Sequence, residues 1–322
     1  MTVLRSMREG LKGFYGNAAF LLNVILKFVL AVATYGVLRH FLGGEGFFSN
    51  NFLILVLGCL SAVLPVTAIP IFAGILAVGL AWSIGLEAVA ITAMVLLVLT
   101  ALFLRFAPQS AILIVLVPMS MTLGFPCLVP VLAALKSRLS SIMGIGCGVV
   151  VYYLLKTLTE LANGTMAVGN DLTARVQGIA TGVFGRDEMA LHLVVLCGVF
   201  VVVFMLRQLS MPHSRTIAAV GGPIVYVLLM IAGASLANGA ASPAGLVPDV
   251  IVTILAALVL NFFLFDVDYR RTEYLEFEDD TYYYYVKAIP KVSVKTPKNG
   301  EAEEEALMNK IAENAGIDRM EI

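Results

Sequence analysis

The sequence predicts an all-α polytopic integral membrane protein. The expected layout is about six full spans plus two proline-broken hairpins, roughly eight to ten membrane helices. A small cytoplasmic C-terminal tail with a β-hairpin follows. Three observations carry this prediction. First, 60% of the 322 residues are hydrophobic and 13% charged, with a mean hydropathy of +0.93. A soluble domain has roughly 45–50% apolar and about 25% charged residues, so so much apolar surface has no water-soluble core to hide in. Second, apolar runs close to the roughly 20 residues that cross hydrocarbon recur along most of the chain. Third, two apolar segments are interrupted by prolines: Pro65 and Pro70 in the first, Pro118, Pro126 and Pro130 in the second. Proline removes a backbone donor and clashes with the preceding turn, so neither segment forms one plain helix.

Leu4, Met7, Leu11 and Phe14 recur at helical spacing, with Arg5, Arg8 and Lys12 between them. Residues 1–16 therefore read as a basic amphipathic helix suited to an anionic cytoplasmic leaflet. No small-residue cleavage pattern follows the first apolar run, so a cleaved signal peptide is not expected. The transmembrane domain is expected over 17–266. Its first span, about Ala18 to Arg39, contains Lys27. A lysine inside a span is a site candidate by default; if the span starts later, Lys27 instead snorkels to the surface.

The first broken region covers about Asn51 to Gly85. It is read either as two short crossings or as a re-entrant hairpin turning between Pro65 and Pro70. Leu86 to Phe106 is a clean span. The second broken region runs from Pro108 to about Leu135 and closes on Lys136 and Arg138. Ser140 to Thr159 is a span whose Gly144 and Gly148 form a G-x-x-x-G face for close helix contact. Residues 160–188 are expected to be an extracytoplasmic loop. Leu172, Val176, Ile179 and Val183 in it predict an amphipathic surface helix. Three spans follow, about Met189 to Leu206, Thr216 to Leu236 and Val250 to Phe265, with Asn238 to Asp249 read as a loop. In the tail, 267–322, aromatic and β-branched residues flank Asp279-Asp280 and predict the β-hairpin.

Basic residues cluster at the N-terminus, at Arg105, at Lys136 and Arg138, at Arg207 and Arg215, and at Arg270-Arg271. The positive-inside rule then places both termini in the cytoplasm, and the short-looped layout with basic inner flanks suits a bacterial plasma membrane. On that path the units 51–106 and 107–159, each a broken hairpin plus a span, have opposite orientations. This is the pattern of an inverted repeat whose hairpins meet near the bilayer midplane. The arrangement resembles that of some secondary carriers, as architecture only.

The chemistry is sparse. Net charge is −1, which gives no case for nucleic-acid binding. The four cysteines and three histidines show no metal or disulfide spacing. No catalytic motif is present, so no enzyme activity, cofactor or metal is expected. A transport site would be lined by carbonyls freed around Pro65, Pro70, Pro126 and Pro130, by the hydroxyls of Ser61, Thr67, Ser120 and Thr122, and by Lys27. No acid is read in mid-span, which argues against a proton-coupled carrier. The leading expectation is a transporter or lipid translocase. The alternative is a membrane scaffold that recruits a cytoplasmic protein through Tyr282, Tyr283, Tyr284 and Tyr285 in the tail. A third reading is the membrane subunit of a larger machine. The partners expected are the lipid bilayer, a cytoplasmic protein and a second copy of the chain.

Overall fold

The structure, a computed structural model, describes residues 2–43, 47–106, 110–165, 172–209, 211, 213–236, 243–265, 273–278 and 283–288. Eleven α-helices and one strand pair are present among these residues. In chain order they are α1 (Thr2–Leu42), α2 (Asn51–Val63), α3 (Ala68–Ala81), α4 (Leu86–Phe106), α5 (Leu113–Thr122) and α6 (Leu128–Lys136). There follow α7 (Ile142–Ala162), α8 (Leu172–Phe184), α9 (Asp187–Gln208), α10 (Ser214–Leu236) and α11 (Pro243–Phe265), then β1 (Glu273–Glu278) and β2 (Tyr283–Ala288).

Four stretches are long and apolar enough to cross a membrane: Phe20–Leu42, Leu139–Ala162, Ala174–Gln208 and Ser214–Ser235. Large apolar side chains cover the outside. Phe20, Phe52, Val63, Met94, Val194 and Leu255 are all exposed. Water does not tolerate so continuous an apolar surface, and lipid does. The chain is therefore compatible with a helical membrane protein.

Both broken segments break where the prolines fall. In hairpin 1, α2 ends at Leu64, whose backbone is extended (ψ 166°), and Pro65 follows. Pro70 is the third residue of α3, and Pro130 is the third residue of α6. The first four N–H groups of a helix have no partner within it, so proline costs little there. In hairpin 2, α5 runs through Pro118 and ends in a Schellman motif. Gly124 adopts φ +83°. Phe125 N–H bonds to the Ser120 carbonyl and Gly124 N–H to the Met121 carbonyl, the pattern of a left-handed glycine cap. The arms α2, α3, α5 and α6 hold 13, 14, 10 and 9 residues. At 1.5 Å per residue they reach about 20, 21, 15 and 14 Å, less than the roughly 30 Å of hydrocarbon.

The two hairpins occupy different environments. Hairpin 2 is the core: α5 packs on α7, and α6 packs on α9 and α10. Leu113, Val117, Cys127, Val131, Ala134 and Leu135 are buried. Hairpin 1 lies along α1, with α3 also against α4, and it exposes Phe52, Leu55, Leu60, Val63 and Ile71.

Two readings of the chain change, and one is met. No separate N-terminal helix precedes a first span, because α1 is continuous over 41 residues; the side chains of 2–19 lie outside the described ones. The amphipathic helix expected in 160–188 is present as α8, which buries Ile179 and Val183 and packs on α4 and α7. Most consequential, the segment Asn238 to Asp249 is not all loop: α11 begins at Pro243.

The chain divides into two compact units, Met1–Phe263 and Leu264–Ile322. Within the second, β1 and β2 pair antiparallel, with Glu276 opposite Tyr285, Phe277 opposite Tyr284 and Glu278 opposite Tyr283. Tyr282 and the side chains of the tail lie outside the described residues.

Candidate functional site

Each hairpin tip is held by a charge that suits its exposed backbone. At the tip of hairpin 1, Lys27 Nζ on α1 donates to the Leu64 carbonyl, 3.2 Å away. A helix C-terminus presents unpaired carbonyls and a partial negative charge, which a cation complements. Three further bonds fasten α2 and the turn before it to α1. Tyr35 and Ser61, both fully buried, share a hydroxyl–hydroxyl bond of 2.6 Å. Arg39 donates to Ser49 and Asn51 at the other end.

At the tip of hairpin 2 the charge is reversed. Cys127 N–H, where α6 starts, donates to Asp249 Oδ2 on α11 at 3.2 Å. Thr253 Oγ1 donates to Asp249 Oδ1, also at 3.2 Å. The hydroxyl of the buried Tyr226 on α10 faces the same carboxylate. An anion at a helix N-terminus is the complement of a cation at a C-terminus. Asp249 lies about 9 Å along α11 from its start, and Cys127 about 14 Å along α6 from its end. The sequence reading places Asp249 at the end of a loop; it lies instead in the second turn of α11.

The buried stripe of α11 is Asp249, Thr253 and Ala257, while Ile251, Leu255 and Val259 face outward. Lipid removes the hydrophobic drive between helices, so small and polar residues hold them together. Asn261 adds a bond to Thr216 of α10 at 3.0 Å. Helix α11 thus docks through these polar groups together with Ala257, Leu246 and Leu260.

The expected hydroxyls occupy other positions. Ser61 also donates to the Leu57 carbonyl, Ser120 to Val117 and Thr122 to Met119, at 2.7, 2.9 and 2.7 Å. These are back-bonds to the preceding turn, common for hydroxyls in apolar helices. Thr67 and Pro65 are exposed, Pro126 is half-buried and Pro130 is buried.

Of the expected site residues, Pro70 alone lines the cavity of the helical unit. This narrow apolar cavity is walled by Pro70, Gly74 and Ala77 of α3, and by Ile114, Pro118 and Met119 of α5. Thr34 of α1, Thr92 and Leu96 of α4, and Val151 and Leu154 of α7 also line it. The second arm of hairpin 1 and the first arm of hairpin 2 meet here. Thr34 Oγ1 is satisfied by the Leu30 carbonyl. Thr92 Oγ1 is fully buried and is the one such side-chain atom without a hydrogen-bond partner among the described residues. Among those residues no group of three or more His, Cys, Asp or Glu side chains is placed to hold a metal.

Replacing Lys27 separates its two roles. Lys27→Glu is expected to destabilise the folded chain by about 2 kcal/mol, the loss of a charged hydrogen bond plus repulsion at the carbonyls. Lys27→Met is expected to change stability by less than about 1 kcal/mol, because the lost bond offsets a cation withdrawn from apolar surroundings. Thermal unfolding in detergent reads both.

No protein-family model matches the chain, and no curated protein or solved structure is similar to it.

Proposed function

We propose that this chain moves a lipid-like or other apolar solute across a membrane, past the meeting point of its two broken hairpins. The observation that supports this most is the cavity, whose walls come from both hairpins and hold no charged side chain. A carrier for ions or sugars needs several polar groups aimed inward. Here Thr92, whose buried hydroxyl has no partner among the described residues, lies in the wall of an otherwise apolar space. That suits an amphiphile with one polar end.

The inverted-repeat reading remains part of the proposal. The second arms begin at Ala68 and Leu128, 128 − 68 = 60 residues apart, the same offset that aligns Pro70 with Pro130. The span after each hairpin, α4 or α7, has 21 residues. The four arms are too short to cross hydrocarbon alone, which supports re-entrant hairpins over full spans. Both termini are taken as cytoplasmic, with the basic flanks inside the plasma membrane.

The β1–β2 hairpin favours a second reading, a scaffold that recruits a cytoplasmic protein through its tyrosine-rich strand. Reconstitution decides between them. The purified chain is placed in liposomes with a fluorescent phospholipid in both leaflets, and an impermeant reductant is added outside. Under the transport reading the inner-leaflet signal is also lost, and a chain ending at Phe265 does the same. If only the outer leaflet bleaches, lipid movement is rejected and the scaffold reading leads.

A further inference from the structure

Asp249 is the only fully buried acidic side chain among the described residues. Its surroundings are all donors: Cys127 N–H from hairpin 2, the Thr253 hydroxyl one turn along α11, and the Tyr226 hydroxyl from α10. The titratable groups facing it are Tyr226 and Cys127, and no cationic side chain among the described residues acts on it. A carboxylate buried without a counter-cation is costly in a protein and more so at membrane depth. Two ways of meeting that cost exist: a permanent anion held by donors and the α6 dipole, or a carboxyl that gains and loses a proton.

We propose that Asp249 is a proton-binding site, and that its charge sets whether the tip of hairpin 2 is held to α11. The ionised carboxylate accepts the Cys127 N–H in a charge-assisted bond, at the positive end of α6. Proton uptake from water forms the O–H bond of the neutral acid and removes the charge. The amide bond then weakens to a neutral one, and the attraction to the helix end vanishes. Cys127 caps the start of α6, three residues beyond the left-handed Gly124, and its N–H lies outside the helical ladder of either arm, with the Asp249 carboxylate as its acceptor. Asp249 and Thr253 are two of the three residues in the buried stripe of α11, so the carboxylate is one of that helix's principal anchors. The proton therefore acts on the joint between a broken helix and α11. This inference rests on the Asp249 cluster and not on the cavity, so it survives if lipid movement fails.

The bland alternative is a fixed polar anchor that never titrates, and two measurements on the full chain in lipid nanodiscs separate them. In acid-minus-neutral infrared difference spectra, the carbonyl stretch of a protonated carboxyl is expected in the native chain and absent in Asp249→Asn. Identical difference spectra in both would overturn the proposal. In the native chain alone, backbone hydrogen exchange over residues 123–131 is followed at the two pH values and corrected for the intrinsic pH dependence. Exchange about fivefold faster in acid is expected, from the difference between charged and neutral hydrogen bonds. Unchanged protection means the tip is not released and overturns the proposal, even if Asp249→Asn does not fold.

Discussion

Gly148→Val is expected to unfold the protein several degrees earlier than the native chain, a loss of about 2 kcal/mol or more. The reason is the contact between α7 and α5. A Cβ added at Gly148 would stand 2.7 Å from Val117 Cβ and 3.1 Å from the Leu113 carbonyl oxygen. Neither neighbour is the free end of a flexible side chain. Val117 is fully buried and Leu113 contributes backbone, so relief requires α5 to move away from α7. Helix α5 is the first arm of the core hairpin, and its displacement would loosen the cavity wall as well. Valine instead of glycine improves helix propensity by a few tenths of a kcal/mol at best, too little to compensate. Gly36→Ala is the control of opposite sign, because nothing lies within 4 Å of its added Cβ. It is expected to gain about 0.5–1 kcal/mol. Differential scanning fluorimetry of both variants in one detergent reads the contrast. Equal melting temperatures for Gly148→Val and the native chain would mean that the α5–α7 contact is not tight.

The Gly148 contact illustrates which parts of this molecule were legible in the sequence. The G-x-x-x-G spacing marked a close-packed face, and the prolines marked both breaks. Helix α4 has the bounds that its apolar run predicts, Leu86–Phe106. What the sequence left hidden was the division between inside and outside. Both hairpins are uniformly apolar, and lipid rewards a leucine on the surface as much as one in the core. Hydropathy therefore had no means of placing hairpin 2 at the centre and hairpin 1 at the edge. Polar side chains carry that information in lipid, and their partners are not written in the sequence. Asp249 falls at the end of the stretch that the sequence reads as a loop, although Ser242-Pro243 carries the cap-then-proline signature of a helix start. Reading that pair as a helix start places Asp249 in the second turn. Tyr35 and Tyr226 gave no signal, because a tyrosine in a span is ordinary until its hydroxyl partner is known. The expected hydroxyls at Ser61, Ser120 and Thr122 followed from their closeness to the breaks, but short hydroxyl side chains reach their own helix first.

Gly74→Phe is expected to abolish solute movement, at least about tenfold in rate, while leaving the melting temperature close to native. A tenfold loss corresponds to about 1.4 kcal/mol in the barrier. Gly74 faces the cavity, and its added Cβ would meet only Leu96 Cδ1 at 3.8 Å, an ordinary contact. The ring then enters space bounded by Pro118 and Met119 of the other hairpin. Filling a cavity restores dispersion contacts that its lining lacks, so stability has no reason to fall. Thr92→Val probes the same space by chemistry instead of volume. The substitution removes a buried hydroxyl without a partner, and such an atom costs about 1–3 kcal/mol. A more stable protein is therefore expected. If the hydroxyl receives the polar end of an amphiphile, the same variant moves a fluorescent phospholipid more slowly but an uncharged hydrocarbon-like probe at the native rate. That combination, greater stability with selective loss of one substrate, is the signature of a polar group retained for a ligand. Slower movement of both probes would assign Thr92 to the mechanics of the helices. Native rates for both, together with native rates in Gly74→Phe, would remove the cavity from the path of the solute.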